Sequence, residues 1–264
     1  MPRPSKYDQL ISLVFFNNYV AGDTEIEFTR ELLVSLAVNL DMRDSLNPGD
    51  VVYTYRYRKD LPSDIRAVVA PGCMWIILGI GDARYKFKQV PIVRITADPA
   101  LLAIKVPDAT PEIIGAYKLN DEQALLALVR YNRLIDLFLG MNAYSLQNHL
   151  RTKVENIGQI EIDEIYVGVD RHGRQYIVPV QAKRGSDRHG IVQTLQDHEY
   201  CVTSFPGLIH RLVSAQFMSS NRIAMFELTV IDGEVRVVEQ KHYQLVPASS
   251  ITAEDLSLYA HHAP

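Results

Sequence analysis

Apolar positions change period several times along the chain, and those changes predict its elements. Residues 7–20 and 29–40 read as helices; in the second, Leu32, Leu33, Leu36, Ala37 and Leu40 recur at helical spacing. Asn47, Pro48, Gly49 and Asp50 form a turn signal, and residues 51–58 (VVYTYRYR) then alternate as a strand does. Residues 75–78 and 84–88, joined across 79–82, predict a hairpin, with one or two further strands in 91–107. Residues 107–112 mark a break, where Thr110 suits an N-cap and Pro111 the first helical position. The domain boundary is placed near Lys118, dividing an N-terminal α+β domain, 1–118, from a second domain, 119–264.

In the second domain Asn120 and Gln123 make a capping-box-like pair at the head of a long helix. This helix runs to about residue 139 and ends at Gly140. Ser145 is expected to cap another helix over 146–156, because Leu146, Leu150 and Val154 fall four apart, with Asn148, Arg151 and Glu155 on a polar face. Residues 159–183 then switch to the period of a β-hairpin. A helix from about Arg188 to 202 follows, with Gln193 and Gln196 facing one way. Strands are expected over 208–217 and 222–231. After the Asp232-Gly233 turn comes another over 234–246, then a short terminal helix.

The 159–183 hairpin turns through Asp170-Arg171-His172-Gly173-Arg174, and Gly173 can take the positive φ that such a loop needs. If it is symmetric about His172, Asp163 lies opposite Gln181 and Glu161 opposite Lys183, all on one face. Ile160, Ile162, Tyr166, Tyr176, Val178, Val180 and Ala182 make the other face, with Glu164 its one charged exception. Two explanations of the polar cluster are open. One is a Glu161–Lys183 salt bridge beside an Asp163–Gln181 polar pair. The other is a divalent-metal site, with oxygen ligands from Asp163 and Gln181 and with Lys183 orienting water or offsetting phosphate charge.

Composition narrows the class. The chain has 264 residues, 47% apolar and 22% charged, with net charge −4, so it is globular and not a histone-like polycation. Two distant cysteines, Cys73 and Cys201, and no ligand spacing among the histidines point to a reduced cytoplasmic protein without a zinc site. No signal-peptide core or long apolar run is present, so a soluble protein is expected. Two segments interleave cations with aromatics: Tyr53, Tyr55, Arg56, Tyr57, Arg58, Lys59, and then Arg84, Tyr85, Lys86, Lys88. Arg56, Arg58, Arg84 and Lys86 suit phosphate contact, or else form a solvated sheet face.

Ile162-Asp163 followed by Gln181-Ala182-Lys183 on the neighbouring strand resembles the signature of the PD-(D/E)xK nuclease superfamily, in its QxK form. The likeness covers roughly residues 145–217. The resemblance implies an α/β fold (α+β overall): a restriction-endonuclease-like central mixed sheet flanked by helices, built on an α-β-β-β-α-β core. It implies Mg²⁺-dependent (or Mn²⁺-dependent) hydrolysis of DNA by a type II restriction-like, defence or repair endonuclease acting as a homodimer. Asp163, Gln181 and Lys183 would be catalytic and Glu155 would be the helix acid. Asp163, Gln181 and Glu161 would ligate the metal, with Glu164, Gln193 and Gln196 auxiliary. The alternative is a nucleic-acid-binding or partner-binding module that keeps the fold without catalysis.

Overall fold

The structure is a computed structural model, and it describes residues 4–40, 42, 47–117, 122–155, 157–185, 187, 189–218 and 221–261. Ser5 closes a capping box with Asp8 and starts α1 (Lys6–Asn18). Strand β1 (Glu25–Thr29) leads into α2 (Arg30–Ala37), which Thr29 caps. The short helices α3 (Pro48–Tyr53) and α4 (Ser63–Ala67) bracket a π-helical turn, Thr54–Arg58. Strands β2 (Cys73–Gly79), β3 (Arg84–Pro91) and β4 (Ala103–Pro107) precede helices α5 (Glu112–Tyr117), α6 (Glu122–Tyr131) and α7 (Leu134–Leu139). A meander of β5 (Asn142–Val154), β6 (Gly158–Val169) and β7 (Gln175–Lys183) is followed by α8 (Ile191–Ser204). Then come β8 (Ile209–His210), β9 (Leu212–Phe217), β10 (Arg222–Ile231), β11 (Glu234–Val246) and α9 (Ala253–His261).

The strands form two sheets. A small antiparallel one has the order β1-β3-β2, and a mixed eight-stranded one runs β4-β11-β10-β9-β7-β6-β5 with β8 beside β7. The α8 crossover makes β9 parallel to β7, so the order α6/α7, β5, β6, β7, α8, β9 is α-β-β-β-α-β. On one face of the large sheet, α6 and α7 bury Leu125, Val129, Ile135 and Phe138 against Tyr166, Tyr176, Val178, Val180, Val213 and Met225. On the other, α8 sets Ile191 and Val192 over Leu212, Ala224 and Phe226, and Cys201 over Ile165 and Ile177. The central strands are therefore covered on both sides, as parallel pairing requires.

Several elements differ from the periodicity reading. Residues 51–58 are helical: Asn47 caps α3 with Pro48 in its first turn, and Val51, Val52 and Tyr55 are the buried positions, a helical spacing hidden by the alternating tyrosines. Residues 146–154 are strand, because a spacing of four is also a multiple of the strand period of two. Leu150 and Val154 pack there against Ile160 and Ile162. The single long helix is broken at Arg133, whose φ is +49°, beside Asn132; the Asn132 side chain bonds Thr110, Ala109 and Leu128. The expected boundary or cap positions Lys118, Asn120, Asn156 and Arg188 lie outside the described residues. The hairpin register is as expected from Glu164↔Val180 to Val169↔Gln175, with Gly173 at φ +77°. The division at 118 does not separate the sheets: β4 pairs with β11, and Ile76, Val90 and Ile95 share one core cluster with Ile191, Val192 and Phe226. No helix among the described residues is long and apolar enough to cross a membrane.

Candidate functional site

The site forms where the sheet ladder is interrupted. Pairing of β6 with β7 stops at Glu164↔Val180. On the other flank, β5–β6 pairing passes from Asn148↔Glu164 to Leu150↔Ile162 and skips His149 and Asp163, with His149 at φ +53°. Both neighbours thus let go of Asp163, and its side chain takes over: Asp163 Oδ2 accepts the Ala182 backbone N–H at 2.8 Å. Gln181, 5% exposed, donates from Nε2 to Asp197 Oδ2 at 2.9 Å and to the Glu161 carbonyl at 3.4 Å. Asp197 comes from α8 and is itself 3% exposed. Lys183, half-buried at the end of β7, supplies the positive charge.

Burial dominates the electrostatics. It pushes the Asp197 carboxyl up to about 8; the Asp163 charge adds to the rise, while the Gln181 bond and Lys183 oppose it. Asp163 is raised for the same first reason. The Ala182 N–H and Lys183 hold it down, while Glu161 and Glu122, the latter at the start of α6, push it up. Two buried oxygens here, Gln181 Oε1 and Asp197 Oδ1, have no hydrogen-bond donor. Among the described residues no group of three His, Cys, Asp or Glu side chains gathers as a metal site; this cluster is two carboxyls and an amide. All three are hard oxygen donors, the kind Mg²⁺ takes while keeping several waters, so the donor set fits such an ion.

A second polar layer fixes the backbone of Lys183. His189 Nδ1 bonds Ser214 Oγ, and its Nε2 lies 3.2 Å from Gln216 Oε1. Burial pushes this histidine down to about 4, so the ring is neutral. Gln216 pairs with Lys183 across β7 and β9, and its Nε2 donates to the carbonyls of Gly185 at 2.6 Å and Asp187 at 3.1 Å. The loop leaving the lysine is thereby tied to a central strand.

Of the residues singled out in the sequence, Asp163, Gln181 and Lys183 come together. Glu161 is 40% exposed and pairs with His149 at 3.3 Å and Arg151 at 3.2 Å, not with Lys183, so the expected cross-strand bridge is absent. Glu155 is exposed in the turn after β5 because the segment before it extends rather than coils. Glu164 faces α6, fully buried, and is held by Arg130 at 2.9 Å and by Ser145; it is a structural ion pair. The Gln193 amide folds against Gly190. Gln196, 4% exposed, accepts the Tyr57 hydroxyl at 2.9 Å. Arg84 pairs with Glu27 at 2.8 Å and Lys86 with Glu25 at 2.9 Å, both at the surface. Arg58 lies over the Tyr53 ring at 4.7 Å and Arg56 over Tyr57 at 5.0 Å. The periodicity reading missed Asp197, His189 and Glu122. Asp197 left a signal: Ile191, Thr194, Asp197 and Cys201 recur every three or four residues and are all buried, so an acid stands on an inward stripe.

Comparisons with protein-family models, with curated proteins and with solved structures each find no match. The functional reading therefore rests on the site itself.

Proposed function

We propose that this protein is a Mg²⁺-dependent DNA endonuclease of restriction, defence or repair type, with Asp163, Gln181 and Asp197 holding the ion. One observation carries the reading: two buried oxygens without donors, Gln181 Oε1 and Asp197 Oδ1, beside Asp163 and Lys183. A buried acceptor left unsatisfied costs about 1–3 kcal/mol, and a cation is the species that would relieve two such acceptors and a carboxylate together. When bound, Mg²⁺ would polarise the phosphate and make water acidic enough to attack it near neutral pH. Lys183 would orient that water or offset phosphate charge; as a cation it has no lone pair for base chemistry. The α-β-β-β-α-β order and the Asp163…Gln181-Ala182-Lys183 arrangement support the same reading.

Phosphate contact is assigned to exposed cations: Arg151 on β5, whose ion-pair partner Glu161 bears on Asp163, Lys153 two residues further along that strand, and Arg58 on the π-helical turn. The surface ion pairs of Arg151 with Glu161 and of Lys153 with Asp82 are weak and can open to a polyanion, and Arg58 lies over the Tyr53 ring. Cutting both strands of a duplex needs two sites, which a homodimer would supply. The test is plasmid cleavage with Mg²⁺, Mn²⁺ or EDTA. Wild type should cut only with metal, and Asp163→Ala and Lys183→Ala should each lose roughly 100-fold or more while keeping the wild-type circular dichroism. Cutting retained by both variants would sink the site assignment. No cutting by wild type would sink the nuclease reading and leave the binding module.

A further inference from the structure

Tyr57 joins the small sheet's half of the molecule to the site through one part-buried hydrogen bond. The π-helical turn Thr54–Arg58, closed by Lys59 N–H to the Thr54 carbonyl at 2.9 Å, carries Tyr57. The Tyr57 ring packs into the core that Ile76, Val90 and Ile95 share with Ile191 and Val192 of α8, and its hydroxyl donates to Gln196 Oε1 at 2.9 Å. Gln196 Nε2 is buried and unpartnered, so among the described residues the tyrosine makes the one hydrogen bond of this amide. The next residue on α8 is Asp197. Successive helix residues point about 100° apart, so whatever fixes the direction of Gln196 fixes that of Asp197. The N-cap of α8 is Gly190, without a side-chain cap, so the rotation of the helix depends on contacts along its length. π-helical turns are rare, occur mostly as single turns beside α-helix, and are frequent at functional sites.

We infer that Tyr57 is a positioning residue of the candidate site. Through Gln196 it sets the rotation of α8 that brings Asp197 to Gln181. The N-terminal half, through its π-helical turn, is then a working part of the site rather than a detachable reader of DNA. The inference rests on the nuclease reading, and the experiment separates the two. Tyr57→Phe keeps the ring and its packing but removes the bond. Cleavage by this variant of the full chain should show kcat lower by about tenfold with KM for DNA unchanged, the effect of one hydrogen bond. Mn²⁺ binding, followed by calorimetry, should weaken in parallel. Gln196→Met should match it, and the double variant should be no worse than either single one. A bond that only stabilises the fold would shift Tm yet leave kcat and Mn²⁺ affinity, both measured well below Tm, at wild-type values; that result overturns the inference. A wild type that neither cuts DNA nor binds Mn²⁺ overturns the nuclease reading, and this inference with it.

Discussion

Asp197 and His189 titrate in opposite senses when the chain folds. The Asp197 carboxyl rises from its ordinary 3.8 to about 8, so its protonated form favours the fold; that stability is present below 3.8 and is lost as pH climbs toward 8. His189 falls from 6.5 to about 4, so its neutral form favours the fold; that stability is present above 6.5 and is lost as pH drops toward 4. Between 4 and 6.5 the two slopes oppose each other, and of the two only that of Asp197 continues from 6.5 to 8. Urea unfolding in EDTA should show stability falling by roughly 2 kcal/mol across that upper window. Asp197→Asn should flatten it and be the more stable protein at pH 8. A wild-type curve flat from 6.5 to 8 would show that the carboxyl is not held protonated. Asp163, Gln181 and Lys183 could be brought to one end of the hairpin from the sequence because the Asp170–Gly173 turn sets the register by counting alone, although the ladder stops at Glu164↔Val180, short of the expected Asp163–Gln181 pair. Asp197 could not, since its bond to Gln181 depends on how a crossover helix lies on the sheet.

Elements were legible where one period excluded the other. The hairpin 159–183, the β10–β11 pair and helices α1 and α8 were, because their apolar spacing fits one period and their turns carry Gly173 or Asp232-Gly233. Leu146, Leu150 and Val154 fit both periods, and the choice fell to tertiary packing against Ile160 and Ile162. Contacts between elements leave even less trace, and Gly79 shows why. A Cβ on Gly79 at the end of β2 would stand 2.2 Å from the Ile157 carbonyl oxygen in the β5–β6 turn, a backbone atom with no side-chain freedom to yield. This glycine is there for close approach. Gly79→Ala should cost on the order of 2 kcal/mol in urea unfolding. Gly115→Ala in α5, where a new Cβ meets nothing within 4 Å, should be neutral or slightly stabilising. Equal effects from the two changes would mean that the turns do not pack as described.

At the scale of the whole molecule, the question is whether the halves joined at Tyr57, at Gly79 and in the shared core unfold as one. Ile76, Val90 and Ile95 from the N-terminal side lie in the same cluster as Ile191, Val192, Leu212, Phe226 and Val235, so removing residues 1–118 would bare that apolar face. It would also strip β4 from β11, leaving a strand of 13 residues as an open edge. A fragment of 119–264 should therefore aggregate rather than fold. The intact chain carries its own reporter. Trp75, the sole tryptophan, sits 4% exposed in β2 of the small sheet, whereas far-ultraviolet circular dichroism is weighted toward the eight-stranded sheet and its helices. In urea, tryptophan fluorescence and circular dichroism should trace one coincident transition, the mark of a two-state unit. Tyr57→Phe should move both midpoints together, since the bond it removes spans the two halves. If the fluorescence transition came first and left the dichroism of the large sheet intact, the N-terminal sheet would be an independent domain. Gln196 and Asp197 would then have to be oriented without it.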